Sequence, residues 1–103
     1  MELLNDKNFD EKINEKPLVL VDFFATWCGP CRMQAPILER VKEELGDQVE
    51  IYKLDVDENE QTAKQFGVMS IPTLVLFKDG KEVAKNVGLM SQEAVVDLID
   101  ENK

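Results

Sequence analysis

The sequence has no histidine and only two cysteines, Cys28 and Cys31. A structural zinc site normally takes four ligands from cysteine, histidine or carboxylate, so a closed zinc site within this chain is not expected. A site shared between two chains is left open. No apolar run approaches the ~20 residues needed to span a bilayer. Basic residues are in the minority: 12 Lys plus Arg face 21 Asp plus Glu, a formal net charge of -9. Such a chain repels phosphate backbones and anionic membranes, so nucleic-acid and membrane partners are not expected. The acidic residues are scattered, which reads as a solvated surface. No repeat, low-complexity segment, linker or nucleotide-binding loop is visible. Met1 to Asp10 is polar and lacks the pattern of a secretory signal. The expectation is a reducing cytoplasm, where neighbouring cysteines point to catalysis or metal binding rather than to a structural staple.

What is present fits one domain over residues 1–103, with apolar residues at 44 %. A chain of this size buries enough surface to fold without staples. Glu2 to Leu4 reads as a short edge strand. Asn5 or Asp6 is placed to cap a short helix carrying Phe9 and Ile13 on one face. Leu18 to Ala25 is almost continuously apolar, as a strand buried on both faces requires. Cys31 to Leu45 reads as a long helix with Ile37, Val41 and Leu45 on its inner stripe, Pro36 inside it and Gly46 ending it. Val49 to Asp55 reads as a strand, and Asp57 or Asn59 opens a short helix that stops at Gly67. Thr73–Lys78 and Lys81–Val87 form a hairpin across Asp79-Gly80. Ser91 caps a last helix with Val95, Leu98 and Ile99 inside. A parallel crossover followed by antiparallel pairing gives an α/β fold, a central mixed β-sheet flanked by helices on both faces.

Trp27-Cys28-Gly29-Pro30-Cys31 joins the central strand to the long helix. Cysteines three apart on a first helical turn have Cβ atoms ~5–6 Å apart, close enough for their sulfurs to bond after a small adjustment. A helix N-terminus supplies free N–H groups and the positive dipole end, which favour the reactive thiolate. Pro30 suits the first helical position, and Gly29 permits the tight turn. Cys28 precedes the helix and is expected to be the more exposed, hence the nucleophile. Cys31 is expected to be more buried and to resolve the mixed disulfide. An inert buried pair is the bland alternative; the agreement of spacing, strand end and helix start favours redox chemistry.

The sequence resembles the thioredoxin family. The matching words are Val21-Asp22-Phe23-Phe24-Ala25, Thr26-Trp27-Cys28-Gly29-Pro30-Cys31-Arg32-Met33, Ala35-Pro36, Lys53-Leu54-Asp55-Val56-Asp57-Glu58-Asn59, Met69-Ser70-Ile71-Pro72-Thr73-Leu74 and Val87-Gly88. They run across nearly the whole chain in family order. The resemblance implies a thioredoxin fold and a carrier that reduces protein disulfides through a reversible Cys28–Cys31 pair. It implies a cis peptide before Pro72, which taken alone reads as an ordinary strand-start proline. It places Asp22 in the interior near Cys31, paired directly or through water with Lys53, and makes it the base for Cys31. The Ile71 backbone would hydrogen-bond an extended substrate. Trp27 would flank the site with an apolar face open to partners, and Met69, Ile71, Gly88 and Leu89 would complete a docking face, although Met69 and Leu89 fit core packing equally well. Partners would be a thioredoxin reductase and disulfide-containing proteins, with the chain itself a monomer. No bound cofactor is expected, because NADPH and FAD belong to the reductase.

Three positions depart from the common pattern. Phe24 stands where many members carry tryptophan, Arg32 where lysine is common, and Glu60 where proline is frequent. Two other functions are weighed. A disulfide-forming or isomerising protein would share the cysteines, but Gly29-Pro30 accompanies reducing members of the family. A scaffold module would keep its activity without the Cys28 thiol.

Overall fold

The computed structural model describes residues 1–103. Its centre is a five-stranded sheet of order β1-β3-β2-β4-β5, built from β1 (Glu2–Leu4), β2 (Leu18–Phe24), β3 (Glu50–Asp55), β4 (Thr73–Lys78) and β5 (Lys81–Val87). Strands β1, β3 and β2 run parallel, and β4 and β5 pair antiparallel, so the sheet is mixed as expected. The helices are α1 (Phe9–Asn14), α2 (Gly29–Leu45), α3 (Glu60–Gln65) and α4 (Gln92–Glu101). No helix is long and apolar enough to cross a membrane.

Alternation along β2 explains the layers, because successive strand residues point to opposite faces. Leu18 and Leu20 enter one core with Leu38, Val41 and Leu45 of α2 and Val95 and Ile99 of α4. Val19, Val21 and Phe23 enter the other with Phe9 and Ile13 of α1. In that second core Phe9, Phe66 and Phe77 meet with ring centroids 5.2 to 5.6 Å apart, tilted or edge-on. Burying each large apolar side chain contributes about 1.5–3 kcal/mol. Continued along the strand, the same alternation puts Asp22 and Phe24 on the α2 side of the sheet.

Several local expectations change. Helix α2 begins at Gly29, two residues before Cys31, with Cys28 as its N-cap. Its buried stripe is Cys31, Gln34, Leu38, Val41 and Leu45, while Ile37 is only partly covered. Spacings of three and four follow the 3.6-residue turn, whereas a strict step of four drifts off the contact face. Asn8, not Asn5 or Asp6, is the N-cap of α1, and its side chain does not cap the helix. Asn5 instead accepts the Lys7 and Asn8 N–H groups, making a turn ahead of the helix. Asp6 reaches across to α3 and accepts from the Thr62 N–H at 2.9 Å and the Thr62 hydroxyl at 2.6 Å. A helix end is therefore capped by a residue distant in sequence. Leu98 is partly covered, and Val95 and Ile99 form the buried stripe of α4. Ser91 caps that helix as expected, accepting from the Ala94 N–H at 3.1 Å. The Asp79-Gly80 turn has φ of 51° and 81°, the left-handed pair that a tight hairpin needs.

Candidate active site

Where β2 ends and α2 begins, Cys28 and Cys31 form a disulfide with Cα atoms 5.3 Å apart. Cys28 has extended backbone, and its Sγ accepts the Cys31 N–H at 3.3 Å. A sulfur thus occupies the cap position that a side-chain oxygen fills in most helices. The same free N–H groups stabilise negative charge on that sulfur once the bond opens. Gly29 and Pro30 are the first two helical residues, where a missing proline N–H costs no intrahelical bond.

Exposure does not separate the two cysteines. Cys28 is 5 % exposed and Cys31 4 %, against the expectation that Cys28 would be open. Ala25 is buried with them, and Phe24, Val56 and Ile71 pack around the group. The two sulfurs differ in their neighbours. Cys28 Sγ lies 3.9 Å from the Ile71 carbonyl oxygen, on the side of the loop before β4. Cys31 lines a half-open pocket of about 240 Å³ together with Asp22, Phe24, Arg32 and Lys53.

Asp22 is 1 % exposed, and its Oδ1 has no hydrogen-bond partner. Burial pushes its carboxyl up to about 7, and the positive charge of Lys53 draws it partly back. Desolvation outweighs attraction here, so the group titrates near neutrality. Lys53 is the register partner of Asp22 on β3, yet no ion pair joins the two. Its ammonium sits 5.5 Å from the centroid of the Phe24 ring.

The Ile71–Pro72 peptide is cis, as the resemblance implied. Pro72 is buried, and its carbonyl accepts the Gly88 N–H at 2.8 Å, tying the end of β5 to this loop. Thr73 Oγ1 donates to the Ser70 carbonyl at 2.6 Å. Around the disulfide the surface carries exposed apolar side chains: Trp27 is 66 % exposed and Met69 95 %, and Leu89 is open as well. Core packing is therefore ruled out for Met69. The Trp27 indole donates to Asp57 Oδ2 at 2.8 Å. Sequence reading places Asp57 only as a candidate start of the short helix and misses this bond, since its partner is thirty residues away. Gln34 was missed too: its buried amide donates to the Met90 carbonyl at 3.1 Å and accepts the Met90 N–H at 2.8 Å. A polar residue on the apolar stripe of α2 was the available signal.

A closable cysteine pair on a helix start, with a buried carboxyl lining the pocket beside Cys31, defines a thiol–disulfide oxidoreductase. The Thioredoxin family model matches residues 1–101. The chain is 48 % identical to thioredoxin of Bacillus subtilis (strain 168) over 97 residues, 94 % of this chain and 92 % of that protein. It is 50 % identical to thioredoxin of Chlamydia muridarum, covering all of this chain and 99 % of the other. Among solved structures, a mutant thioredoxin from Halobacterium salinarum NRC-1 superposes with a TM-score of 0.90 at 40 % identity, covering 97 % of this chain and 88 % of that one. The chain belongs to the thioredoxin family.

Proposed function

We propose that this chain, working as one domain and as a monomer in the cytoplasm, reduces disulfides in extended segments of other proteins. The observation that carries the reading is the placement of Cys28 and Cys31: one sulfur caps the helix, and the other faces the cavity that holds Asp22. The Cys28 thiolate attacks one sulfur of the target disulfide. That bond breaks, the second target sulfur leaves as thiolate and takes a proton, and a mixed disulfide remains. Cys31 gives its proton to Asp22 and attacks Cys28 Sγ. The Cys28–Cys31 bond forms, the first target sulfur departs as a thiolate that takes a proton from water, and Asp22 returns its proton to solvent. Two electrons have passed from this chain to the target.

Asp22 suits the base role because a carboxyl titrating near 7 is poised at the working pH. Lys53 tunes that carboxyl through its charge. Trp27, Met69, Gly88 and Ile71 offer an apolar rim for the target, with Gly29 and Pro30 shaping the entrance and Pro72 holding the Ile71 carbonyl toward it. A flavin-containing thioredoxin reductase returns the chain to the dithiol with electrons from NADPH; FAD and NADPH belong to that partner. The test is reduction of a protein disulfide by this chain with NADPH and a bacterial reductase. Catalytic turnover is expected. No turnover with either the reductase or dithiothreitol as electron source sinks the reading.

A further inference from the structure

We propose that the Phe24 ring is a seat for the Lys53 ammonium, holding that charge at the wall of the Cys31 cavity and off the Asp22 carboxylate. Phe24 is then a positioning residue for the proton transfer, and this rests on the reading of Asp22 as the base for Cys31. Phe24 and Asp22 are two residues apart on β2, so their side chains share a face. Lys53 stands opposite Asp22 on the neighbouring strand. All three line the same cavity as Cys31. From that register the ammonium has two places to go, the carboxylate or the ring. It lies 5.5 Å from the ring centroid, inside the ~6 Å range of cation–π attraction. It makes no ion pair, and Asp22 Oδ1 stays without a hydrogen-bond partner.

No other group around Asp22 forms an ion pair with that ammonium. From α2 come Cys31 and Arg32, and the Arg32 guanidinium donates to the Thr26 carbonyl at 3.2 Å. From β4 the register partner is Leu74, which carries no charge. On β3 the Asp55 carboxylate, level with Phe24, accepts the Asp57 N–H at 2.9 Å. The ring therefore decides how much of the Lys53 charge Asp22 feels. Direct contact would hold Asp22 ionised and make it a weaker base, whereas an ammonium parked on the ring leaves the carboxyl near neutrality.

The experiment follows the Asp22 carboxyl carbon by NMR through a pH titration of the oxidised full chain. In Phe24→Leu the ring face is gone and the apolar bulk remains. The ammonium then reaches the carboxylate, and the Asp22 midpoint falls by about one pH unit, a tenfold loss of proton affinity. Phe24→Tyr keeps a π face and keeps the wild-type midpoint. In a Lys53→Met background, Phe24→Leu leaves the midpoint where it was. An unmoved midpoint in Phe24→Leu, or the same fall with and without Lys53, overturns the proposal. Should Phe24→Leu fail to fold, wild type decides: the Lys53 ε-methylene protons are expected upfield from the ring current, and shifts of an unstructured lysine reject the seat. Asp22→Asn separates the two readings. If it resolves mixed disulfides at the wild-type rate, the base role fails, while the titration still judges the ring.

Discussion

Replacing Cys28 by serine removes the attacking sulfur, and disulfide reduction is expected to fall by roughly a thousandfold or more. Cys31→Ser keeps the attack and loses the resolution, so it accumulates a covalent adduct with the target, visible as a mass increase that dithiothreitol reverses. Asp22 makes a prediction about stability. Its folded carboxyl binds a proton more tightly than the unfolded one, so the fold loses stability as pH rises from the ordinary aspartate range through about 7. Above that pH the buried charge costs at most about 4 kcal/mol. Asp22→Asn should therefore resist urea better than wild type at pH 8 and about equally at pH 3.5. An equal gain at both would point to packing instead of ionisation. The cysteine pair was readable in the sequence because its chemistry is local, a three-residue spacing at a helix start. The burial of Asp22 needed the family resemblance, since it depends on α2 folding back over β2. The cover over Cys28 was not legible in the local sequence, because part of it comes from Ile71, 43 positions further along the chain, and only the family resemblance brought Ile71 and Pro72 to the site.

Helix α2 is placed by its apolar stripe and fastened by Gln34. That amide bonds both backbone groups of Met90, joining the helix to the segment ahead of α4. Gln34→Leu keeps the volume and loses both bonds, and it should cost about 2 kcal/mol in urea unfolding while the cysteines still react. Periodicity revealed the strands and the last helix well, since Leu18–Phe24 and the Asp79-Gly80 hairpin are decided by neighbouring residues. It misjudged Ile37 against Leu38, one position apart, because only the partner surface decides which of the two faces inward. The α3 cap was invisible for the same reason, being supplied by Asp6. Hydrogen bonds from Thr62 hold the Asp6 carboxyl below its ordinary range. That contribution persists above the usual aspartate pKa and is lost only as pH falls through the lowered folded value.

At the scale of the molecule, two cores lie on opposite faces of one sheet, and neither depends on the disulfide. The bond closes a very short ring, so it restrains little of the unfolded chain. Reduction is expected to lower stability by about 2 kcal/mol, compared by urea unfolding with and without dithiothreitol. A larger stability in the reduced chain would contradict this. The surplus of acidic charge, 21 Asp plus Glu against 12 Lys plus Arg, works against close approach of like-charged molecules. One feature reaches across this architecture. The Asp6 N–H is held by Asn59, Asn59 holds the Asp55 carbonyl, Asp55 holds the Asp57 N–H, and Asp57 holds the Trp27 indole. The aromatic plate beside the reacting sulfurs is moored, link by link, to the segment that follows the first strand. Asn59→Ala removes both side-chain links at that point and should slacken the mooring, and the lone tryptophan will report it as altered fluorescence anisotropy with both thiols chemically untouched. How firmly a visiting protein is greeted would then be set partly from the far flank of the molecule.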